Sequence, residues 1–279
     1  MNASYKLNTM IKADENLCIS CGSCIRACPG GLITKKEFPA PIENGWDLCI
    51  DCGHCVAICP SGALQQRAMG PEDCESIDIH LAPGWDQVRQ LMITRRAIRG
   101  YVYNKQVEKE KILQLLDVAA YAPHGGNRQV LRWLVINDHA KVQRIAELTV
   151  DWMKSVKDAN PALFHEAKME MFIENWGAGK DVISRGAPCI IQAWAPKDER
   201  TATPAAWIAI AHIQLTATTL GLGSTFCEAI GFASRSYPPL IELFGRSAEE
   251  IPYASFLIGY PTEFYHRIPK KKPIDVTWC

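Results

Sequence analysis

Apolar residues after position 84 follow alternating helical and strand periods. Apolar side chains recur every three or four positions at 85–92 and 112–119, which predicts two amphipathic helices. Residues 205–220 are apolar on nearly every face and precede Gly221 and Gly223, so we expect a buried helix that ends there. Two further helices are predicted, one from residue 140 and one over 161–176. Three runs rich in β-branched and aromatic residues predict strands, at 133–137, 188–194 and 253–259. This mixture without regular βαβ spacing indicates an α+β fold.

The periodicity disappears between residues 65 and 84, where Gly70, Pro71, Asp73 and Pro83 collect. Such a composition is typical of a linker. The chain has 279 residues, which is enough for one small and one medium domain. We therefore predict a domain at 1–67, a linker at 68–83 and a second domain at 84–279.

The charge balance bears on the possible partners. The 30 lysines and arginines equal the 30 aspartates and glutamates, so the chain lacks the basic excess expected of a nucleic-acid or membrane-surface partner. The first residues lack the apolar core of a signal peptide, and the apolar run at 205–220 is shorter than the roughly 20 residues that cross a bilayer. We expect a cytoplasmic protein that binds neither nucleic acid nor membrane.

Eight of the twelve cysteines lie between residues 18 and 59. In a cytoplasmic chain they are expected to be reduced thiols or metal ligands. Residues 18–29 read C-x2-C-x2-C-x3-C-P, and residues 49–60 repeat the pattern 31 positions later. This repeat predicts an internal duplication with pseudo-two-fold symmetry. The other four cysteines have no such spacing and are interpreted as buried or incidental thiols: Cys74, Cys189, Cys227 and Cys279.

The spacing within each run suits an iron–sulfur cubane. Three cysteines spaced by two residues can bind three corners of one 4Fe–4S cluster, and the fourth binds the cluster of the other half. One predicted ligand set is Cys18, Cys21, Cys24 and Cys59. The other predicted set is Cys49, Cys52, Cys55 and Cys28. Gly22 and Gly53 would let backbone amides approach the sulfurs.

Zinc is the alternative, but a zinc site usually takes four ligands from two CxxC pairs, and two identical four-cysteine runs fit that poorly. The segment 12–67 resembles the bacterial two-cluster ferredoxins. The resemblance implies a ferredoxin-like domain that carries one electron at a time.

Three segments of the second domain carry a further pattern. Residues 94–101 read TRRAIRGY, residues 122–129 read APHGGNRQ, and residues 220–231 contain LGLGSTF followed by EAIG. In this order they resemble the FMN-dependent nitroreductase family, and the resemblance covers nearly all of 84–279. It implies a mixed sheet flanked by helices, in a domain-swapped homodimer with FMN at the subunit interface.

The resemblance assigns the arginine run to the FMN phosphate and ribityl chain, through Arg95, Arg96, Ala97 and Arg99. Arginine suits this role because its planar fork of donors matches a phosphate. Ala97 stands where the family usually has serine, so one hydroxyl donor is absent. The alternative is a solvated basic helix end.

The same resemblance assigns the second segment to the flavin of the partner subunit, through Pro123, His124, Gly125, Asn127 and Gln129. The alternative there is a plain turn after a helix.

In the third segment, Ala229, Ile230 and Gly231 are expected to lie against the isoalloxazine. A dinucleotide fingerprint does not fit, because the third glycine is absent and the segment follows a helix. A glycine helix cap is the other alternative. Basic residues of the tail, Arg267, Lys270 and Lys272, are further candidates for the FMN phosphate, with a solvated tail as the alternative. Lys180 is a candidate ring contact.

The combined resemblance implies an FMN-dependent oxidoreductase. Electrons are expected to come from reduced ferredoxin, another low-potential carrier or NAD(P)H. They would pass through two 4Fe–4S clusters and FMN to a small electron-poor acceptor such as a nitroaromatic or quinone. The alternatives are ene reduction, dehalogenation or flavin reduction, and an electron carrier or redox sensor without turnover. His124 is a candidate proton donor, against a histidine satisfied by backbone contacts.

Overall fold

A computed structural model of the chain describes residues 8–247 and 249–279. The chain groups into two compact units. The first comprises the chain up to Ala82 together with Gly126–Arg128, and the second comprises Pro83–Gly125 and Gln129–Cys279.

The first unit consists of short elements around a small apolar core. Its elements are β1 (Ile11–Ala13), α1 (Ser23–Ala27), β2 (Ile33–Lys35), β3 (Pro39–Pro41), α2 (Gly45–Leu48), α3 (His54–Ala57) and β4 (Leu64–Gln66). Strand β1 pairs antiparallel with β4, and β2 pairs antiparallel with β3. The core residues Ile11, Leu32, Ile33, Val56 and Leu64 pack with the buried cysteine side chains. Because the strands are short and the apolar core is small, the cysteine side chains make up a large part of the interior.

The backbone of the first unit repeats with the period of the cysteines. Ser20 and Asp51 both adopt the left-handed conformation, at φ 54° and 52°, and so do Gly22 and Gly53, at φ 70° and 71°. Strands β2 and β4 are also 31 residues apart. A residue other than glycine rarely adopts this conformation, so its recurrence at equivalent positions confirms the predicted duplication.

The second unit is an antiparallel sheet with helices on both faces. Its helices are α4 (Trp85–Thr94), α5 (Lys109–Ala120), α6 (His139–Ala159), α7 (Pro161–Glu166), α8 (Met169–Gly177), α9 (Ala202–Thr219), α10 (Glu228–Ser236) and α11 (Pro238–Phe244). Its strands are β5 (Arg132–Ile136), β6 (Cys189–Pro196), β7 (Gly223–Phe226) and β8 (Glu250–Gly259), in the order β5-β6-β8-β7. All these strands pair antiparallel, and the sheet is mixed only through an isolated parallel bridge between Ala97 and Ser224.

The central strands β6 and β8 are buried on both faces, which explains their continuous apolar sequence. Ile190 and Leu257 join one core with helices α6–α8, whereas Ile191 and Phe256 join the other core with α5 and α9. Alternate residues therefore serve opposite faces, as the two-residue period of a strand requires. The α+β fold predicted from the sequence is confirmed.

Two predicted elements differ from those observed. The helix predicted over 161–176 is interrupted, because Lys168 adopts a left-handed conformation at φ 51° between α7 and α8. After Gly223, where no helix or strand was predicted, the chain forms strand β7 and then helix α10. Ala229, Ile230 and Gly231 consequently lie in a helix.

The apolar face predicted for α4 is not buried within the chain. Trp85 is 76% exposed and Met92 is 55% exposed. Helix α9 is buried on one side, but Trp207 on its other side is 38% exposed. Within residues 8–247 and 249–279, no helix combines the length and apolar character that crossing a bilayer requires.

Candidate functional site

Eight cysteines of the first unit surround two cavities. Four cysteines line one cavity: Cys28, Cys49, Cys52 and Cys55. Four others line the second: Cys18, Cys21, Cys24 and Cys59. The structure thus brings together the same two sets that the spacing predicted, each with three cysteines from one half and the fourth from the other half.

Backbone amides donate to the fourth cysteine of each run. The amide nitrogen of Leu32 lies 3.3 Å from Cys28 Sγ, and that of Ala63 lies 3.3 Å from Cys59 Sγ. Hydrogen bonds of this kind stabilise negative sulfur in an iron–sulfur site. Burial has the opposite effect and raises the pKa of Cys55 to about 11. The buried Cys55 thiol therefore needs a cation to hold it in the thiolate form that binds metal.

The arrangement fits a group larger than one ion. In the described part of the chain, no three His, Cys, Asp or Glu side chains converge closely enough to hold a single metal ion. The four cysteines of each set instead line a common cavity. A cubane cluster presents four separate iron corners, so it fits this arrangement better than a tetrahedral zinc ion with ligands at about 2.3 Å.

The cysteines outside the two runs do not join these cavities. Cys189 and Cys227 are buried in the second unit, and burial raises the pKa of the Cys189 thiol to about 12 and that of the Cys227 thiol to about 11. Cys74 is half-buried and Cys279 is exposed. Of these four cysteines, which the sequence indicated to be buried or incidental thiols, Cys189 and Cys227 are buried and the other two are not.

In the second unit, the arginine run lies beside strand β7. Ala97 forms its parallel bridge with Ser224, and the Ile98 amide donates to the Ser224 carbonyl at 3.0 Å. The Arg96 guanidinium donates to the carbonyl of Arg95 at 2.7 Å, while its Nε is buried without a partner in the described chain. Arg95 and Arg96 are half-buried and Arg99 is exposed. The structure thus joins the first and third predicted segments.

Strand β7 leads directly into helix α10. The amides of a helix's first turn have no partner within the helix and form the positive end of its dipole. Here the Ile230 amide donates to the thiol of Cys227, and the Ile230 side chain is fully buried in the core. A ligand in front of this helix therefore meets neither the Ile230 side chain nor a free Ile230 amide, whereas Ala229 is half-buried.

The second of the three predicted segments, residues 122–129 after α5, is divided between the two units. Pro123, Gly125 and Gln129 are exposed. Burial lowers the pKa of His124, and its Nδ1 is buried without a partner among the described residues. Asn127 belongs with the first unit, where its Nδ2 donates to the Ile50 and Asp51 carbonyls at 3.1 and 3.0 Å.

The remaining predicted residues lie on the surface. Lys180 is exposed after α8, and the tail residues Arg267, Lys270 and Lys272 are exposed in a segment without helix or strand. Over the described ranges, no hydrogen bond or ion pair links these side chains to the arginine run.

A recess beside α10 was not predicted from the sequence. Its volume is about 220 Å³, and Trp207, Phe226, Phe232 and Tyr253 form aromatic walls around Gly231. The rings of Trp207 and Phe226 are 4.7 Å apart. The four aromatic residues come from four separate elements, α9, β7, α10 and β8, so no local pattern predicts their meeting.

Comparison with protein families agrees with this architecture. The family model described as the nitroreductase family matches residues 92–260, more than half of the chain, and a 4Fe–4S dicluster domain model matches residues 17–64. The chain therefore belongs to the nitroreductase family and carries an N-terminal dicluster domain. A search of curated proteins found no significant match.

Solved structures with the same fold include enzymes of several reactions. A nitroreductase with bound FMN from Desulfitobacterium hafniense has a TM-score of 0.56 and 21% identity, over 68% of this chain and 98% of the other. A nitroreductase with bound FMN from Bacteroides fragilis has a TM-score of 0.54 and 19% identity, over 68% and 95%. Iodotyrosine deiodinase bound to FMN and 3-iodo-L-tyrosine has a TM-score of 0.51 and 20% identity, over 68% and 97%.

Proposed function

We propose that the protein is an iron–sulfur flavoprotein oxidoreductase that transfers electrons from two 4Fe–4S clusters to FMN and then to a small electron-poor acceptor. The observation that carries the proposal is the pair of cavities, each surrounded by four cysteines, in a chain of the nitroreductase family. The proposed domain limits are 1–67 for the cluster domain, 68–83 for the linker and 84–279 for the flavin domain.

The clusters pass single electrons, and FMN can accept one or two. The two four-cysteine sets would hold the clusters, with the Leu32 and Ala63 amides donating to sulfur. Cys24 and Cys55, one in each set, are buried, which limits access of water to that side of each metal site. This protein environment would retain the clusters while electrons pass through them.

The arginine run and α10 would hold FMN. The buried Nε of Arg96 has no partner in the described chain, and an anion would satisfy it. A phosphate can accept from the guanidinium groups of Arg95, Arg96 and Arg99 in a bidentate manner. The positive end of α10 favours negative charge on the flavin ring. Lys270 and Lys272 are further candidates, and the FMN in two of the compared nitroreductases supports this choice of cofactor.

The acceptor is proposed to be a nitroaromatic, a quinone or a similar planar molecule, and the donor a reduced ferredoxin or another low-potential carrier, with NAD(P)H as an alternative. Because the same fold occurs in a deiodinase, iodinated aromatics belong in the substrate panel. Steady-state oxidation of the reduced protein by any panel member would distinguish an enzyme from an electron carrier, and analysis of the products would identify the reaction.

A homodimer is also proposed. Helix α9 is apolar on nearly all sides, yet Trp207 and Ile208 are more than a third exposed, and the apolar face of α4 is uncovered. A helix that is apolar on all sides is normally buried against other parts of the protein on every side. A second copy of the chain would bury these exposed apolar faces.

The test is to purify the protein without oxygen and to measure iron, acid-labile sulfide and released flavin per chain. Arg96→Ala should weaken FMN binding about tenfold to a hundredfold, because a charged hydrogen bond contributes about 1.5–3 kcal/mol. Arg89→Ala, at an exposed position of α4, is the matched control and should leave the affinity unchanged. Flavin fluorescence reports the affinity. Zinc in place of iron, or equal losses in both variants, would contradict the proposal.

A further inference from the structure

The two cysteine-lined cavities have the same backbone but different side chains around them. At positions related by 31 residues, Asp51 corresponds to Ser20 and Gln66 corresponds to Lys35. Lys35 is exposed, whereas Gln66 is only 1% exposed. The two halves of the duplication therefore differ at a position that is buried and polar in one of them, beside one of the two cysteine sets.

The amide of Gln66 has a fixed orientation. Its Oε1 accepts a hydrogen bond from the Ala68 backbone amide at 2.7 Å. This contact directs Nε2 the other way, toward Cys49 Sγ at 3.7 Å and the carboxylate of Asp51. A buried side-chain N–H is thus directed at a predicted cluster ligand, and the first half offers no equivalent because Lys35 points to solvent.

The Asp51 carboxylate near Cys49 is paired. Arg67 Nε and Nη2 lie 2.7 and 2.9 Å from its two oxygens. Arg67 also donates to the carbonyls of Cys49 and Trp46, at 2.9 and 2.7 Å. The guanidinium is therefore fixed by four hydrogen bonds, and it compensates the negative charge next to the sulfur.

The other cysteine set has a different and more exposed environment. Cys21 is exposed, and its Sγ lies 3.4 Å from the Ser23 hydroxyl. Arg26 donates to the Cys21 carbonyl and to the Ser23 hydroxyl, both at 3.1 Å. These contacts lie where water competes and weakens them, whereas the amide of Gln66 acts in a buried region of lower dielectric constant.

Resting on the proposed function, we propose that Gln66 raises the reduction potential of the cluster held by the Cys49 set, so that the two clusters are not equivalent. Reduction adds one electron to the cluster and removes one from a low-potential carrier, with no atom transferred. The added electron makes the sulfurs more negative, and an N–H donor stabilises that form. Because Gln66 has no counterpart in the first half, its effect falls on one cluster only.

The test is an anaerobic redox titration followed by electron paramagnetic resonance. Gln66→Met keeps the length of the side chain and removes the donor. One cluster should become about tenfold harder to reduce, which is a fall of about 59 mV for a one-electron couple. Lys35→Met, at the equivalent position of the repeat, is the matched control and should shift neither cluster. Paramagnetic NMR of the cysteine β-protons identifies which cluster has moved.

The outcomes separate this inference from the proposed function. A wild-type protein without iron and sulfide would refute the proposed function. A loaded Gln66→Met protein with unchanged potentials, or with both clusters shifted alike, would refute only the role of Gln66. Should Gln66→Met fail to assemble its clusters, Gln66→Glu provides the second variant, because it retains an acceptor for Ala68 and lacks the donor. It should lower the potential of the same cluster, and an unchanged potential would refute the role.

Discussion

A buried glutamine connects the central strand of the second unit to helix α10. Gln192 on β6 is fully buried, and its Nε2 donates to the hydroxyls of Ser234 and Ser255, at 3.1 and 3.3 Å. Its Oε1 accepts from Trp194 Nε1 at 3.0 Å. Ser234 lies on α10 and Ser255 on β8, so one amide links three elements. We predict that Gln192→Leu loosens α10 against the sheet.

The magnitude follows from the groups that lose their partners. Leucine fills a similar volume, so the cost of a cavity is small. Trp194 Nε1 loses its acceptor at a site that is only 3% exposed. A buried donor without a partner costs about 1–3 kcal/mol. Ser234 keeps its own hydrogen bond to the Ile230 carbonyl, at 2.5 Å, so its hydroxyl loses less. We expect the free energy of opening of α10 and β6 to fall by about 1–3 kcal/mol.

Native-state hydrogen exchange measures that free energy amide by amide and does not require unfolding of the whole chain in one step. A double-mutant cycle with Trp194→Phe isolates the contact. In the Trp194→Phe background, Gln192→Leu should cost about 1 kcal/mol less, because the donor is already absent. Equal costs in both backgrounds, or unchanged exchange of the α10 amides, would show that the network does not hold the helix.

Two further predictions concern the surface and the pH. Trp207→Glu places a charge on the exposed apolar face of α9, so it should convert the proposed dimer to a monomer in analytical ultracentrifugation. Leu243→Glu, at a residue of α11 that is 46% exposed, is the control and should leave the mass unchanged. Burial lowers the pKa of His124, so the fold favours its neutral form and loses that stability as the pH falls below the ordinary value of about 6.5. As the pH is lowered from 7.5 to 5.5, the Tm of the His124→Gln variant should therefore increase relative to that of the wild type. A difference between the two Tm values that stays constant with pH would contradict this.

The lowered pKa of His124 also bears on its candidacy as a proton donor. A histidine whose neutral form is favoured carries little imidazolium at pH 7, and imidazolium is the stronger acid of the two forms. Donation by His124 should therefore be confined to acidic conditions. A pH–rate profile of the His124→Gln variant that matches the wild type over that range would exclude the role.

Hydrophobic periodicity predicted most elements of the second unit, because strands and helices that face a core must repeat their apolar residues. It did not predict β7 or α10. Gly223–Phe226 resembles a turn in sequence, and it becomes a strand only because it pairs with Phe256–Gly259 on β8. The interruption of the helix at Lys168 was not predicted either, because no glycine or proline stands at that position. Both features depend on contacts with distant parts of the chain.

The cysteine ligands could be predicted because their geometry is local. Three of the four cysteines in each set lie within seven residues, and the repeat supplies the fourth. The side chains around those sulfurs could not be predicted in the same way. Gln66 approaches Cys49 across 17 residues of sequence, through the pairing of β4 with β1. Its spacing to the cysteines follows no ligand pattern, so only the fold reveals the contact.

Each unit contains a buried glutamine whose amide is oriented by a hydrogen bond to its oxygen. Gln66 accepts from Ala68 and donates toward Cys49, and Gln192 accepts from Trp194 and donates to two serines. A buried amide is unfavourable unless its groups are paired, so each glutamine is stable only where the fold supplies partners. An amide also carries no charge. A lysine or histidine in place of Gln66 would add a positive charge to the buried cavity, and that charge would need its own partner and would change with pH. The donor of Gln66 should therefore act on the neighbouring sulfur equally at every pH at which the fold persists.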